Sequence, residues 1–198
     1  MMTRNAIPTY DELAIRELPY CPYKPRAADR TLVLLDLRNI SKKLFNDHPD
    51  EDFDFRKLLM DAVGIRSCVA AIAVDGTFYE DEDRHTRLQK DIRSSGFRLD
   101  LVPATNGSGK QEGTDVEIAL VAYDYAVEKR CDCVLLITGD GDFSPLVRRL
   151  HEKGVLVEVM SFKDCLSGCL ERTADKVSLI DGMPLIRIRP DGCEEADL

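Results

Sequence analysis

The sequence predicts an α/β domain of three layers, with a mainly parallel central sheet between helices, on three observations. Apolar runs without polar alternation recur along the chain, Leu32-Val33-Leu34-Leu35 and Val134-Leu135-Leu136-Ile137 being the clearest. Such runs mark strands buried on both faces, as inside parallel sheets. Helical patterns stand between the runs, and strands alternating with helices imply right-handed crossovers. Finally, the run ending at Ile137 stops abruptly in Thr138-Gly139-Asp140-Gly141-Asp142-Phe143-Ser144-Pro145. Two glycines loosen the backbone where two carboxylates leave the strand, and Ser144-Pro145 reads as a cap followed by a first-turn proline. Asp140 and Asp142 therefore belong to a strand-to-helix crevice, where open α/β sheets place their ligands.

Each element follows in order. Residues 1–30 carry Pro8, Pro19, Pro22 and Pro25 among Tyr10, Tyr20 and Tyr23, which suits an extended arm. Its tyrosines, interleaved with Lys24, Arg26 and Arg30, have the chemistry to stack on bases. The plainer expectation is an arm packing its aromatics onto the domain or onto a partner subunit, so a homodimer is among the expectations. The first strand, Thr31 to Leu35, ends at Asp36. A helical pattern runs from Asn39 to Phe45, an acidic loop from Asp47 to Asp54, and a second helix through Phe55, Leu58, Leu59 and Val63. That loop lacks the regular ligand spacing and central glycine of a calcium loop.

Cys68 to Val74 is the second strand, closing at Asp75-Gly76, and Asp83 to Ser95 a helix with a basic, solvated face. Phe97 to Val102 is the third strand. The polar loop Pro103 to Thr114 contains Gly107-Ser108-Gly109-Lys110, yet it is no phosphate loop: Ala104 stands five before Gly109, and Gln111 follows the lysine. A helix from Asp115 to about Lys129, the fourth strand Cys133 to Thr138, a helix Pro145 to Glu152 and the fifth strand Val155 to Met160 follow, Gly154 ending the helix. A helix from Cys165 to Ala174 and an apolar stretch Val177 to Ile180 complete a domain spanning 31–182. Residues 183–198 are an acidic tail, expected to fray.

The 27 basic and 36 acidic residues among 198 leave a net charge of −9, which argues against wrapping duplex nucleic acid by bulk charge. No apolar run is long enough to span a bilayer, and the N-terminus lacks a signal-peptide pattern, so a cytoplasmic protein is expected. The seven cysteines are then free thiols. Cys131, Cys133, Cys165 and Cys169 lack the two-residue gaps of a structural zinc site. His48, His85 and His151 have no serine or cysteine in a nucleophile elbow; His151, at a helix C-terminus, suits a dipole contact.

Four carboxylates fall where this fold gathers element ends: Asp36, Asp115, Asp140 and Asp142. If the first and fourth strands are neighbours, they converge on one crevice. Taken alone, Asp36 and Asp115 also suit helix caps, and Asp142 could cap the next helix. Together they repel unless protons or cations intervene, and an all-Asp pocket predicts a hard divalent ion such as Mg2+. Such a centre activates water and stabilises the leaving oxygen of a phosphodiester.

Asp36-Leu37-Arg38-Asn39, Gly113-Thr114-Asp115-Val116 with its long helix, and Thr138 to Val147 resemble, in order and spacing, the three motifs of NYN domains. These are relatives of PIN-type nucleases, and the LabA-like branch is the nearest match. The resemblance implies a Mg2+- or Mn2+-dependent ribonuclease that hydrolyses single-stranded or structured RNA. It makes Asp36, Asp115, Asp140 and Asp142 metal ligands or water-positioning acids, Asn39 a polar helper and Thr138 an orienting hydrogen-bond partner. Arg38, Lys42, Lys110, Arg148 and Arg149 are candidates to hold the phosphate chain. Val121 stands where many LabA-like members carry a second acid, Glu112 replaces a usual lysine, and Leu37 a frequent glycine. On Val121 rests the alternative, a catalytically weakened module acting as an RNA-binding or regulatory adaptor. A Toprim-like domain would need glutamate where Asp36 stands, and an aspartyl-nucleophile phosphatase a second Asp where Arg38 stands.

Overall fold

The computed structural model describes residues 24–47, 52–77, 82–103 and 113–187. The arm up to Tyr23, most of the Pro103–Thr114 loop with Lys110 and Glu112, and the tail from 188 lie outside them. The elements are β1 (Arg30–Asp36), α1 (Leu37–Asp47), β2 (Asp52–Phe53), α2 (Phe55–Val63), β3 (Ser67–Gly76), α3 (Glu82–Ser94) and β4 (Arg98–Val102). There follow α4 (Thr114–Val127), β5 (Cys133–Ile137), a 3-10 turn Gly141–Phe143, α5 (Ser144–Glu152), β6 (Leu156–Ser161), α6 (Gly168–Thr173), β7 (Lys176–Leu179) and β8 (Ile186–Arg187).

Six strands form one sheet in the order β4-β3-β1-β5-β6-β7, and every pairing in it is parallel. The two continuous apolar runs are its centre: β1 pairs with β5 from Thr31 beside Cys133 to Leu35 beside Ile137. Alternate residues of each strand feed two cores. Leu32, Leu34, Val134 and Leu136 pack with Ile118 and Ala122 of α4, Val147 and Leu150 of α5 and Leu170 of α6. Val33, Leu35, Leu135 and Ile137 pack with Ile40 of α1, Leu58 of α2 and Ile92 of α3. The three layers follow from this period-two division of side chains between two faces. Among the described residues no helix is long and apolar enough to cross a membrane.

The structure departs from expectation at four places. The first helix begins at Leu37, directly after β1, because the Asp36 carboxylate accepts the Asn39 backbone N–H at 3.1 Å and caps it. Asp52–Phe53 and Ile186–Arg187, expected in a loop and a frayed tail, pair antiparallel. Ser144 is not the N-cap of α5 but its first residue, closing the 3-10 turn with its hydroxyl donating to the Gly141 carbonyl at 2.8 Å. Finally, α6 starts at Gly168 rather than near Cys165. The segment before it is held against the Gly139 turn, the Ser167 N–H donating to the Gly139 carbonyl at 2.8 Å.

The order of the sheet fixes where a site can lie. From β1 the chain moves outward through β3 and β4, then returns to β5 on the other side and moves outward again. The carboxyl ends of β1 and β5 thus flank a topological switch point, where neighbouring connections diverge and leave a crevice.

Candidate active site

Asp36 closes β1 and is 5% exposed. Its carboxylate is held from two sides, by the Asn39 N–H and by the Thr138 hydroxyl, which donates at 3.0 Å from the adjoining end of β5. Burial pushes its pKa up to about 6; the neighbouring charges of Asp115 and Asp140 add to the rise, while the Asn39 and Thr138 hydrogen bonds oppose it. Asp115 lies in the first turn of α4, where the helix dipole favours an anion. Burial and the charges of Asp140 and Asp142 raise its pKa in turn.

Thr138 ties the set together, its oxygen also accepting the Asp140 N–H at 3.2 Å. Asn39, reaching from α1, accepts the Gly139 N–H at 3.0 Å. Asp140 caps the 3-10 turn by accepting the Asp142 N–H at 2.9 Å; the cap that Asp142 could have supplied to the next helix is absent, α5 following Phe143 with no side-chain cap. Asp142 is exposed. The charges of Asp115 and Asp140 are therefore felt at Asp36, and those of Asp140 and Asp142 at Asp115, which gathers the four in one crevice.

The Gly139-Asp140-Gly141 turn needs both glycines for close packing. A Cβ at Gly139 would sit 2.2 Å from the Cys165 carbonyl oxygen, and one at Gly141 2.5 Å from the Ser167 hydroxyl. Sequence reasoning missed this supporting segment. Its only local sign was the Ser167-Gly168 pair, since Ser167 caps α6 through the Cys169 N–H.

Val121, on α4, packs against the core, and Asp124 is exposed. His151 meets Asp175, Nε2 to Oδ2 being 2.8 Å. Cys68, Cys131, Cys133, Cys165 and Cys169 are free thiols.

Among the described residues no three His, Cys, Asp or Glu side chains stand closed around a single ion position. The donor set nevertheless has the chemistry of a hard-cation site. It is made wholly of carboxylate oxygens, whose charges help burial to raise the pKa of Asp36 and Asp115, and none of its four members pairs with a lysine or arginine among the described residues. Like charges gathered without a basic partner are what a divalent cation relieves.

A solved structure of a protein of unknown function from Vibrio parahaemolyticus, VPA0982, matches the fold with a TM-score of 0.64 at 24% identity, covering 81% of this chain and 98% of that one. The uncharacterized protein MJ0482 of Methanocaldococcus jannaschii is 25% identical over 154 residues, 78% of this chain; the match spans 56% of that protein's length. The model of the NYN domain matches residues 30–181. With that match covering the whole sheet from β1 to β7, the chain belongs to the NYN domain family, and through it to the PIN-like nuclease superfamily.

Proposed function

We propose that the crevice between β1 and β5 is a divalent-cation centre and that the protein is a Mg2+- or Mn2+-dependent ribonuclease. The observation that carries this reading is the gathering of the Asp36, Asp115 and Asp140 charges in the switch-point crevice of an NYN domain, without a basic partner among the described residues. Asp36, Asp115, Asp140 and Asp142 would hold the ion, which when bound supplies an activated water and charge stabilisation for a leaving oxygen. The residues around it divide the remaining work. Thr138 fixes Asp36 and the Asp140 backbone in one geometry, and Asn39 fixes the glycine turn against α1.

Arg38 and Lys42 are exposed on α1 beyond Asp36, and Arg148 and Arg149 lie on α5 beyond Asp142. On this reading they would hold the phosphate chain without reading bases, Arg149 exchanging its Glu152 partner at 2.9 Å for a phosphate. RNA, single-stranded or structured, is the substrate this assigns. Placement in the LabA-like branch rests on the three motif strings, and a cytoplasmic setting suits the free thiols.

A second reading rests on Val121, an apolar residue packed at the core where an added acid would complete the set. In it the crevice binds RNA and regulates without cutting. Cleavage of generic single-stranded RNA, assayed with Mn2+ and with a chelator, separates the two. Metal-dependent cleavage supports the enzyme; RNA retention with no cleavage, after manganese binding is verified by paramagnetic resonance, supports the adaptor.

A further inference from the structure

The face of the sheet that carries α1, α2 and α3 is not covered to its edge. Beyond the C-terminal end of α2 a groove of about 320 Å³ opens over β6 and β7, its walls including Ile65, Met160, Lys176, Ser178 and Met183. Ile65 stands at its rim with 70% of its surface exposed. The floor carries a buried ion pair, Arg66 with Glu158, both side chains 3% exposed, joined by Lys176 at 3.1 Å. Arg66 also donates to the Val63 and Ala62 carbonyls. Because that network is already hydrogen-bonded, covering it leaves no new unpaired charge.

One more residue lines this groove: Pro25, next to the first described residue of the chain. We propose that the groove is the docking surface for the protein's own N-terminal arm, residues 19–24. The sequence Pro19-Tyr20-Cys21-Pro22-Tyr23-Lys24-Pro25 supports this occupant. Proline recurs every third residue, the period of the polyproline II helix, so in that conformation Pro19 and Pro22 would fall on the edge that Pro25 presents to the groove. Tyr20 and Tyr23 share the neighbouring edge by the same period. Prolines cannot donate to a ladder, so this segment lies across the face rather than extending the sheet beyond β7.

Reach is not limiting: at about 3.1 Å per residue, six residues span roughly 19 Å. The four residues of β7 span roughly 13 Å. The tether from Pro25 gives the arm an effective concentration that a second copy's arm does not share. Tyrosine suits a groove in which Ile65, Met160 and Met183 stand beside Asp61, Lys176 and Ser178, burying its ring and keeping its hydroxyl near polar groups.

The chain holds no tryptophan, so Tyr23→Trp in the full-length protein introduces a sole indole reporter, with Tyr20→Trp as a second. The proposal predicts blue-shifted emission and several-fold weaker acrylamide quenching than for free tryptophan, in a protein with the light-scattering mass of one chain. Adding Ile65→Asp, at an exposed rim position, shifts emission to the solvent value. Adding Met60→Asp, equally exposed on α2 but outside the groove, leaves it unchanged. Solvent-like emission in both reporters overturns the proposal, as does emission indifferent to Ile65→Asp. A blue shift that grows with protein concentration alongside a two-chain mass also overturns it, since the arm then fills the groove of a second copy.

Discussion

Replacing Asp36 by Asn is expected to stabilise the metal-free protein at neutral pH while removing its response to divalent ions. Asp36 is raised from 3.8 to about 6 in the folded state, so the folded protein holds this proton more tightly than the unfolded chain. The stability this confers is fully present below about pH 3.8 and is lost as pH rises through about 6. At 1.36 kcal/mol per unit, the loss is about 3 kcal/mol. The substituted side chain keeps two of the native bonds, its carbonyl accepting from Asn39 and its amide donating to the Thr138 oxygen. The Thr138 hydroxyl proton then loses its acceptor, which costs about 1 kcal/mol.

The variant should therefore be less stable than the parent by about 0.5 kcal/mol at pH 4 and more stable by about 2 kcal/mol at pH 7.5. For a domain of this size the latter is a rise of roughly 4–8 °C in thermal midpoint. Urea unfolding of both proteins in chelator, every half unit from pH 4 to 7.5, gives the difference curve, in which other titrating groups cancel. Manganese added at pH 7.5 should then stabilise the parent and leave the variant unmoved. A flat difference curve, or a variant less stable at every pH, would refute the reasoning.

Other perturbations test the supporting structure. Gly139→Ala places a methyl against the Cys165 carbonyl, a backbone group that cannot swing aside; circular dichroism melts should show destabilisation of about 2–3 kcal/mol, with RNA cleavage lost. Thr138→Val keeps the shape but removes both bonds to the acid pair. It should cost about 1–3 kcal/mol in urea titrations, and NMR of the carboxyl carbons should report an Asp36 pKa higher than in the parent. Glu158→Gln leaves Arg66 buried without its counter-charge and should cost about 3–5 kcal/mol in the same titrations.

How much of this was legible in the sequence depended on whether the signal was local. The runs Leu32–Leu35 and Val134–Ile137 announced central parallel strands because burial on both faces removes polar alternation. Placing Asp36 and Asp140 in one crevice required β1 and β5 to be neighbours, which no periodicity encodes and the pairing register supplies. β2 and β8 are two residues each, too short for a pattern, and exist because the chain after Leu185 returns past Asp54, whose N–H donates to the Leu185 carbonyl. The displaced start of α6 has the same origin: Cys165 to Ser167 hold a backbone contact with Gly139, and tertiary contact there overrides helical propensity.

Single-turnover cleavage of a generic single-stranded RNA by the parent and by Asp140→Asn decides whether the Asp cluster cuts RNA with a divalent ion. The asparagine introduced there can still accept the Asp142 N–H through its own carbonyl, so the 3-10 turn keeps its cap. The account predicts Mn2+-dependent cleavage by the parent, abolished by chelator, and none by a variant whose thermal midpoint is not lowered. Undiminished cleavage by Asp140→Asn, or cleavage by the parent that persists in chelator, would contradict it.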